Sequence, residues 1–146
     1  MAEHGSDHGL FYTKLRDTIS NVFVDFTGLS IDICHQHGMS WDTWNNQEYI
    51  HLKPTEEQFN QLFDQKCAED PDIAMGMLRF WRQNKLSHTD YMFSSDYQHS
   101  SEEMKQAWIN YRQALRDLPQ NSTPVFDHTC LGDLVPKNVT WPTKPE

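Results

Sequence analysis

From Pro54 to Pro119 apolar residues recur at helical spacing and predict three helices. Thr55 with Gln58 three positions on is a capping-box spacing directly after Pro54. The helix opened there would bury Phe59, Leu62, Phe63 and Cys67. A second start follows, with Asp70 as N-cap and Pro71 at the first helical position. Its apolar face holds Ile73, Ala74, Met77, Leu78, Trp81 and Leu86. The third begins at a Ser100/Glu103 capping box and places Met104, Trp108, Tyr111, Leu115 and Leu118 in phase. Pro119 is expected to halt it by turning Leu118 away from helical geometry.

The flanks read differently. Residues Met1 to Gly9 are polar and rich in small residues, and predict an arm that is flexible or ordered by a partner. Phe11, Leu15 and Ile19 lie at helical intervals, which allows a short helix. Val22, Val24 and Phe26 then alternate with other residues, as do Leu29, Ile31 and Ile33. A Thr27-Gly28 link between the two runs predicts a β-hairpin, with Gly28 supplying the positive φ of its turn. Glu48 to Leu52 reads as a third strand. Beyond Pro119 the chain carries Pro124, Pro136, Pro142 and Pro145 and has no helical period, so an extended tail is expected. The expected fold class is α+β, in three parts: a β-containing attachment region over 1–52, a helical unit over 53–119, and a proline-rich tail over 120–146.

Composition narrows the function. A chain of 146 residues with 37% hydrophobic content can bury one core. Its mean hydropathy of -0.76 leaves much polar surface. No stretch approaches a bilayer span, and the first residues lack the basic start and apolar run of a secretory signal, so the chain reads as soluble. A net charge of -9 with no basic run disfavours nucleic acid and anionic membranes as partners. Cys34, Cys67 and Cys130 form no CxxC pair and read as reduced, buried thiols.

Candidate chemistry is sparse. Asp32, Cys34, His35 and His37, and less clearly His4 and His8, could suit a transition metal, but no complete tetrahedral set stands at familiar spacing. Polar loop residues are the plainer reading, and no cofactor or metal is expected. No phosphate loop, GxSxG elbow or HExxH is present. Glu56, Glu57, Glu102 and Glu103 fall in first helical turns, where carboxylates complement the dipole. Trp41 and Trp44 flank a predicted loop. Trp141, among prolines, either packs back on its own domain or inserts into a neighbour.

Three blocks resemble a known family. Leu78, Arg79, Arg82, Leu86, Thr89 and Asp90 form the first, and Trp108, Tyr111, Arg112, Gln113 and Leu115 to Pro119 the second. Trp141, Pro142, Lys144 and Pro145 form the last. Together they resemble the conserved region of phage tail assembly chaperone proteins, related to phage tail fibre assembly proteins, over roughly 54–146. Lys85 stands where that pattern is apolar, and the link Ser122 to Asn138 is longer than usual. The resemblance implies a non-enzymatic phage protein that binds a tail or tail-fibre subunit. It would act either as an assembly chaperone or as a structural component of the virion, in the virion tail or in the host cytoplasm during assembly. Self-association stays open, and a metal-dependent enzyme built on the His/Cys cluster is the rival from another class. Trp108, Tyr111, Arg112, Arg116, Trp141 and Pro142 are the expected partner-binding residues. A charge-assisted bond from Arg112 to Asp90 is expected to fix the intervening loop.

Overall fold

The computed structural model of the chain describes residues 2–28 and 54–146, with side chains for 13–26 and 54–146. Four α-helices dominate these residues: α1 (Ala2–Thr27), α2 (Glu56–Glu69), α3 (Pro71–Ser87) and α4 (Glu102–Asp117). Single 3-10 turns lie at Asp90–Phe93, Leu118–Asn121 and His128–Cys130. Among the described residues the only strand-like pairing is one antiparallel bridge, Val125 to Lys137.

The fold is therefore helical, and the expected α+β class is overturned. The first arm of the predicted hairpin, Val22 to Phe26, is the last part of α1. The reason is visible in its burial. Leu15, Val22 and Phe23 are buried and Ile19 and Phe26 partly so, which extends the helical period begun at Phe11. Phe23 belongs to that period and spoils the apparent alternation. Gly28 does take a positive φ of 71°, but as a helix C-cap: its N–H donates to the Val24 carbonyl at 2.8 Å. The expected arm at the start is also helical in its backbone, from Ala2. The second hairpin arm and the Glu48 to Leu52 strand lie outside the described residues.

The later helices start where their caps dictate. Thr55 and Gln58 form the reciprocal box, at 2.9 and 3.1 Å. The Asp70 carboxylate accepts from the Asp72 N–H ahead of Pro71. At α4 the cap is Ser101 rather than Ser100, accepting from the Met104 N–H at 3.0 Å. Leu118 keeps right-handed helical angles (φ -56°, ψ -44°), contrary to expectation. Pro119 acts through its missing N–H instead, and the chain tightens into a 3-10 turn.

Two apolar clusters result. The first joins Leu15, Val22 and Phe23 of α1 to Phe59, Phe63 and Cys67 of α2 and to Ile73, Ala74 and Met77 of α3. Lys66 to Asp25 (2.9 Å) and Lys14 to Asp70 (3.4 Å) tie α1 to the neighbouring elements. Burial, seconded by Asp64 and Asp127, pushes the Cys67 thiol up to about 12, so it stays protonated at neutral pH. The second cluster gathers Leu86, Met92, Trp108, Tyr111 and Leu115. Helix α3 runs through both.

The segment after Asn121 folds back as a strap. Phe126 and Cys130 enter the first cluster, Phe126 meeting Phe63 edge-on at 6.2 Å. The Asp64 carboxylate receives the His128 backbone N–H at 2.8 Å and lies 2.8 Å from His128 Nδ1. Trp81 Nε1 donates to the Leu134 carbonyl at 2.9 Å. Leu134 holds a left-handed φ of 63°, which for a branched residue costs about 1–2 kcal/mol. Its packing against the first cluster and that hydrogen bond hold it there.

Asp127 locks the strap. Burial would raise its carboxyl, but hydrogen bonds from Lys137 and Thr129 outweigh that and lower it from 3.8 to about 2. The folded state then holds fewer protons than the unfolded chain in that interval. The lock is complete above pH 3.8 and is lost as pH falls through about 2. Thermal melts should show the gap between the parent chain and Asp127→Ala widest near neutrality and shrinking toward pH 2. A constant gap would contradict this.

Candidate functional site

The side chains expected to bind a partner converge where the end of α3 meets α4. Positions 108, 111 and 115 turn the same face of α4 inward, so Trp108, Tyr111 and Leu115 are buried, with the Trp108 and Tyr111 rings edge-on at 5.7 Å. Burial raises the Tyr111 phenol above its ordinary range, keeping it a donor. Trp141 is half-buried against this cluster, and Lys85 Nζ lies 5.3 Å from its ring centroid. Of the two readings left open for Trp141, packing on its own domain is the one observed.

Arg112 is the organising cation. Its Nη1 donates to the Leu86 carbonyl at 2.9 Å and to Thr89 Oγ1, while Nη2 donates to Asp90 Oδ1 at 2.8 Å. The guanidinium also stacks 5.1 Å from the Phe93 centroid. The side chain is 13% exposed, against 60% for Asp90. Thr89 is buried and returns its hydroxyl to the Leu86 carbonyl at 2.9 Å. The predicted Arg112 to Asp90 bond is thus present, with two further acceptors that spacing alone did not reveal.

Arg116, one turn on, faces solvent. With Phe93, Ile109 and Arg112 it lines a shallow groove of about 200 Å³. Phe93 and Ile109 are each 38% exposed, and Tyr91 is 62% exposed. These three escaped the sequence reading. The signal for Ile109 was its position, an apolar residue out of phase with the buried face and flanked by Lys105 and Arg112. Pro142 lines a separate, more polar groove of about 580 Å³ with Ala114, Asp117, Leu118, Asn138 and Thr140. The six predicted residues therefore divide into a buried set, Trp108, Tyr111 and mostly Trp141, and an accessible set, Arg116 and Pro142, with Arg112 between them.

Asp32, Cys34, His35, His37, Trp41 and Trp44 lie outside the described residues, as do the side chains of His4 and His8. Among the described residues no helix is long and apolar enough to cross a membrane.

A family model covers this architecture: the phage tail assembly chaperone protein model matches residues 75–146. That segment belongs to the phage tail assembly chaperone protein family. The match starts at Met75, inside α3, rather than near Pro54, and so takes in the whole second cluster and the strap. Membership supports a role in phage tail assembly. No curated protein and no solved structure matches the chain. Within the matched segment, Arg112 joins two of the three motif blocks at one point, since Leu86, Thr89 and Asp90 come from the first block and Arg112 from the second.

Removing Arg112 would strip the partly buried Leu86 carbonyl and Thr89 hydroxyl of their charged donor, whereas removing the Asp90 charge loosens only an exposed ion pair. Arg112→Gln should cost about 2–3 kcal/mol in denaturant unfolding, and Asp90→Asn under about 1 kcal/mol. Equal costs would show that the carbonyl and hydroxyl contacts contribute nothing.

Proposed function

We propose that the chain is a non-enzymatic assembly chaperone that binds a phage tail or tail-fibre subunit and covers surface on it that would otherwise aggregate. The family match over 75–146 carries this reading. The docking face we assign is the outer flank of α4. There Phe93 and Ile109 provide accessible apolar area beside the charges of Arg112 and Arg116. Trp108, Tyr111 and Trp141 serve that face from beneath by fixing α4, and Arg112 serves it by fixing the Thr89 to Phe93 turn. Pro142 borders a second accessible surface at the end of the same helix.

Such a face needs no cofactor, and a chain of net charge -9 is poorly suited to nucleic acid or an anionic bilayer. On this reading the protein works in the host cytoplasm while tails assemble, as a monomer or a self-associated form. A virion component would use the same face permanently, and only its fate after assembly differs.

The test is complementation of a phage lacking the gene. An Ile109→Asp/Arg116→Glu chain should melt close to the parent and yet reduce intact tails about tenfold or more, the effect of losing a contact worth ~1.4 kcal/mol. Mass spectrometry of purified particles should find the protein absent. Full complementation by the variant removes the assigned face, and several copies per particle would make the protein a structural part.

A further inference from the structure

We propose a carboxylate-binding pocket at the C-terminal end of α3, lined by Asn84, Lys85, His88, Thr89, Tyr111 and Lys144. It receives a carboxylate carried by a peptide, and it shares no lining residue with the groove of Phe93 and Arg116. The proposal rests on the reading that the chain holds another polypeptide only for the identity of that ligand's carrier.

The cavity measures about 220 Å³, enough for one short acidic group with some water. Among the described residues no carboxylate lines it. Its two lysines come from distant parts of the chain, Lys85 from α3 and Lys144 from the end of the strap. Among the described residues Lys14, Lys66 and Lys137 each pair with an aspartate. Lys85 and Lys144 do not, and neither does exposed Lys105 on α4, although acidic residues outnumber basic ones 21 to 12. The terminal Glu146, two residues from Lys144, forms no ion pair with either of them.

Helix polarity is the obvious objection, because a C-terminus presents carbonyl oxygens and repels anions. Here two of those oxygens, on Asn84 and Leu86, are already occupied. The Asn84 carbonyl accepts from the His88 backbone N–H at 3.2 Å and lies 2.7 Å from His88 Nδ1. The Leu86 carbonyl accepts from the Thr89 N–H, Thr89 Oγ1 and Arg112 Nη1. Complementing the helix end would also explain Lys85 alone, but it does not bring Lys144 there. The Lys85 ammonium lies 5.3 Å from the Trp141 ring centroid, which restrains its side chain. The Tyr111 hydroxyl, on a side chain 7% exposed, adds a donor with no protein hydrogen bond among the described residues. The overall charge of -9 opposes any anion, but beyond about 10 Å that field is screened at 0.1 M salt. The two lysines that line the pocket decide the local sign.

The experiment is a titration of the full-length, 15N-labelled protein. One probe is N-acetylglutamic acid amidated at its main-chain carboxyl, which offers only a side-chain carboxylate. The other is N-acetylglycine, which offers only a chain terminus. At least one should give saturable shifts at the amides of Lys85, His88, Tyr111 and Lys144, weakening as salt rises. Binding by the first assigns the pocket to an acidic side chain, and by the second to a C-terminus. Lys144→Gln, at an exposed position that folding does not need, should weaken binding severalfold, and Lys85→Gln/Lys144→Gln should abolish it. No saturable shift from either probe, or shifts that survive the double substitution, overturn the pocket. So does inorganic phosphate binding more tightly than both. None of these results bears on complementation by the α4 face, so the two readings fail separately.

Discussion

Arg112 reaches from α4 to the last turn of α3, where a helix necessarily leaves carbonyl oxygens without partners inside itself. By taking the Leu86 carbonyl, the Thr89 hydroxyl and the Asp90 carboxylate at once, it fixes three things with one side chain. It closes the end of α3, sets the turn at Asp90–Phe93, and holds α4 in register against both. The second apolar cluster depends on that register, because Leu86 and Met92 meet Trp108, Tyr111 and Leu115 only if the turn between them is fixed. The accessible face follows from the same contact. Phe93 is held over the guanidinium, and Ile109 and Arg116 lie along the adjoining flank of α4.

The strap extends this arrangement to the rest of the molecule. Trp141 closes the second cluster, while Phe126 and Cys130 enter the first. The family match begins at Met75 and yet contributes Met77, Phe126 and Cys130 to a core otherwise built from α1, α2 and the first turn of α3. The assembly-chaperone segment and the preceding helices are thus joined by shared burial as well as by the continuous rod of α3. Among the described residues Phe63, Trp108, Tyr111 and Phe126 turn inward, while Phe93 and Ile109 stay accessible beside Arg112 and Arg116.

How much of this could be read from residues alone depended on distance along the chain. The helices from Thr55 onward were legible because Thr55, Asp70 and a serine cap announce them and their apolar faces repeat locally. The error at Val22 to Phe26 came from a segment in which two periods overlap. Val22 and Phe26 fit both, Val24 suits a strand, and Phe23 suits only a helix. Burial of Phe23 decides for the helix. The strap was not legible, since its anchors are non-local: Asp64 with His128, Trp81 with Leu134, Phe63 with Phe126. At the site, Arg112 with Asp90 could be paired by charge. The shared cavity of Lys85 and Lys144 could not, because nothing in a linear pattern brings like charges together.

Amide hydrogen exchange tests the central claim that helices and strap form one cooperatively held body. The Val125 and Lys137 amides donate to each other's carbonyls at 3.0 and 2.8 Å across the strap, and the Leu115 amide lies within α4. If Arg112, Trp141 and the two clusters hold the unit together, all three amides should exchange only through global opening, with equal free energies. Rapid exchange at Val125 and Lys137 beside a protected Leu115 would mean that the strap is loose, and would contradict the account.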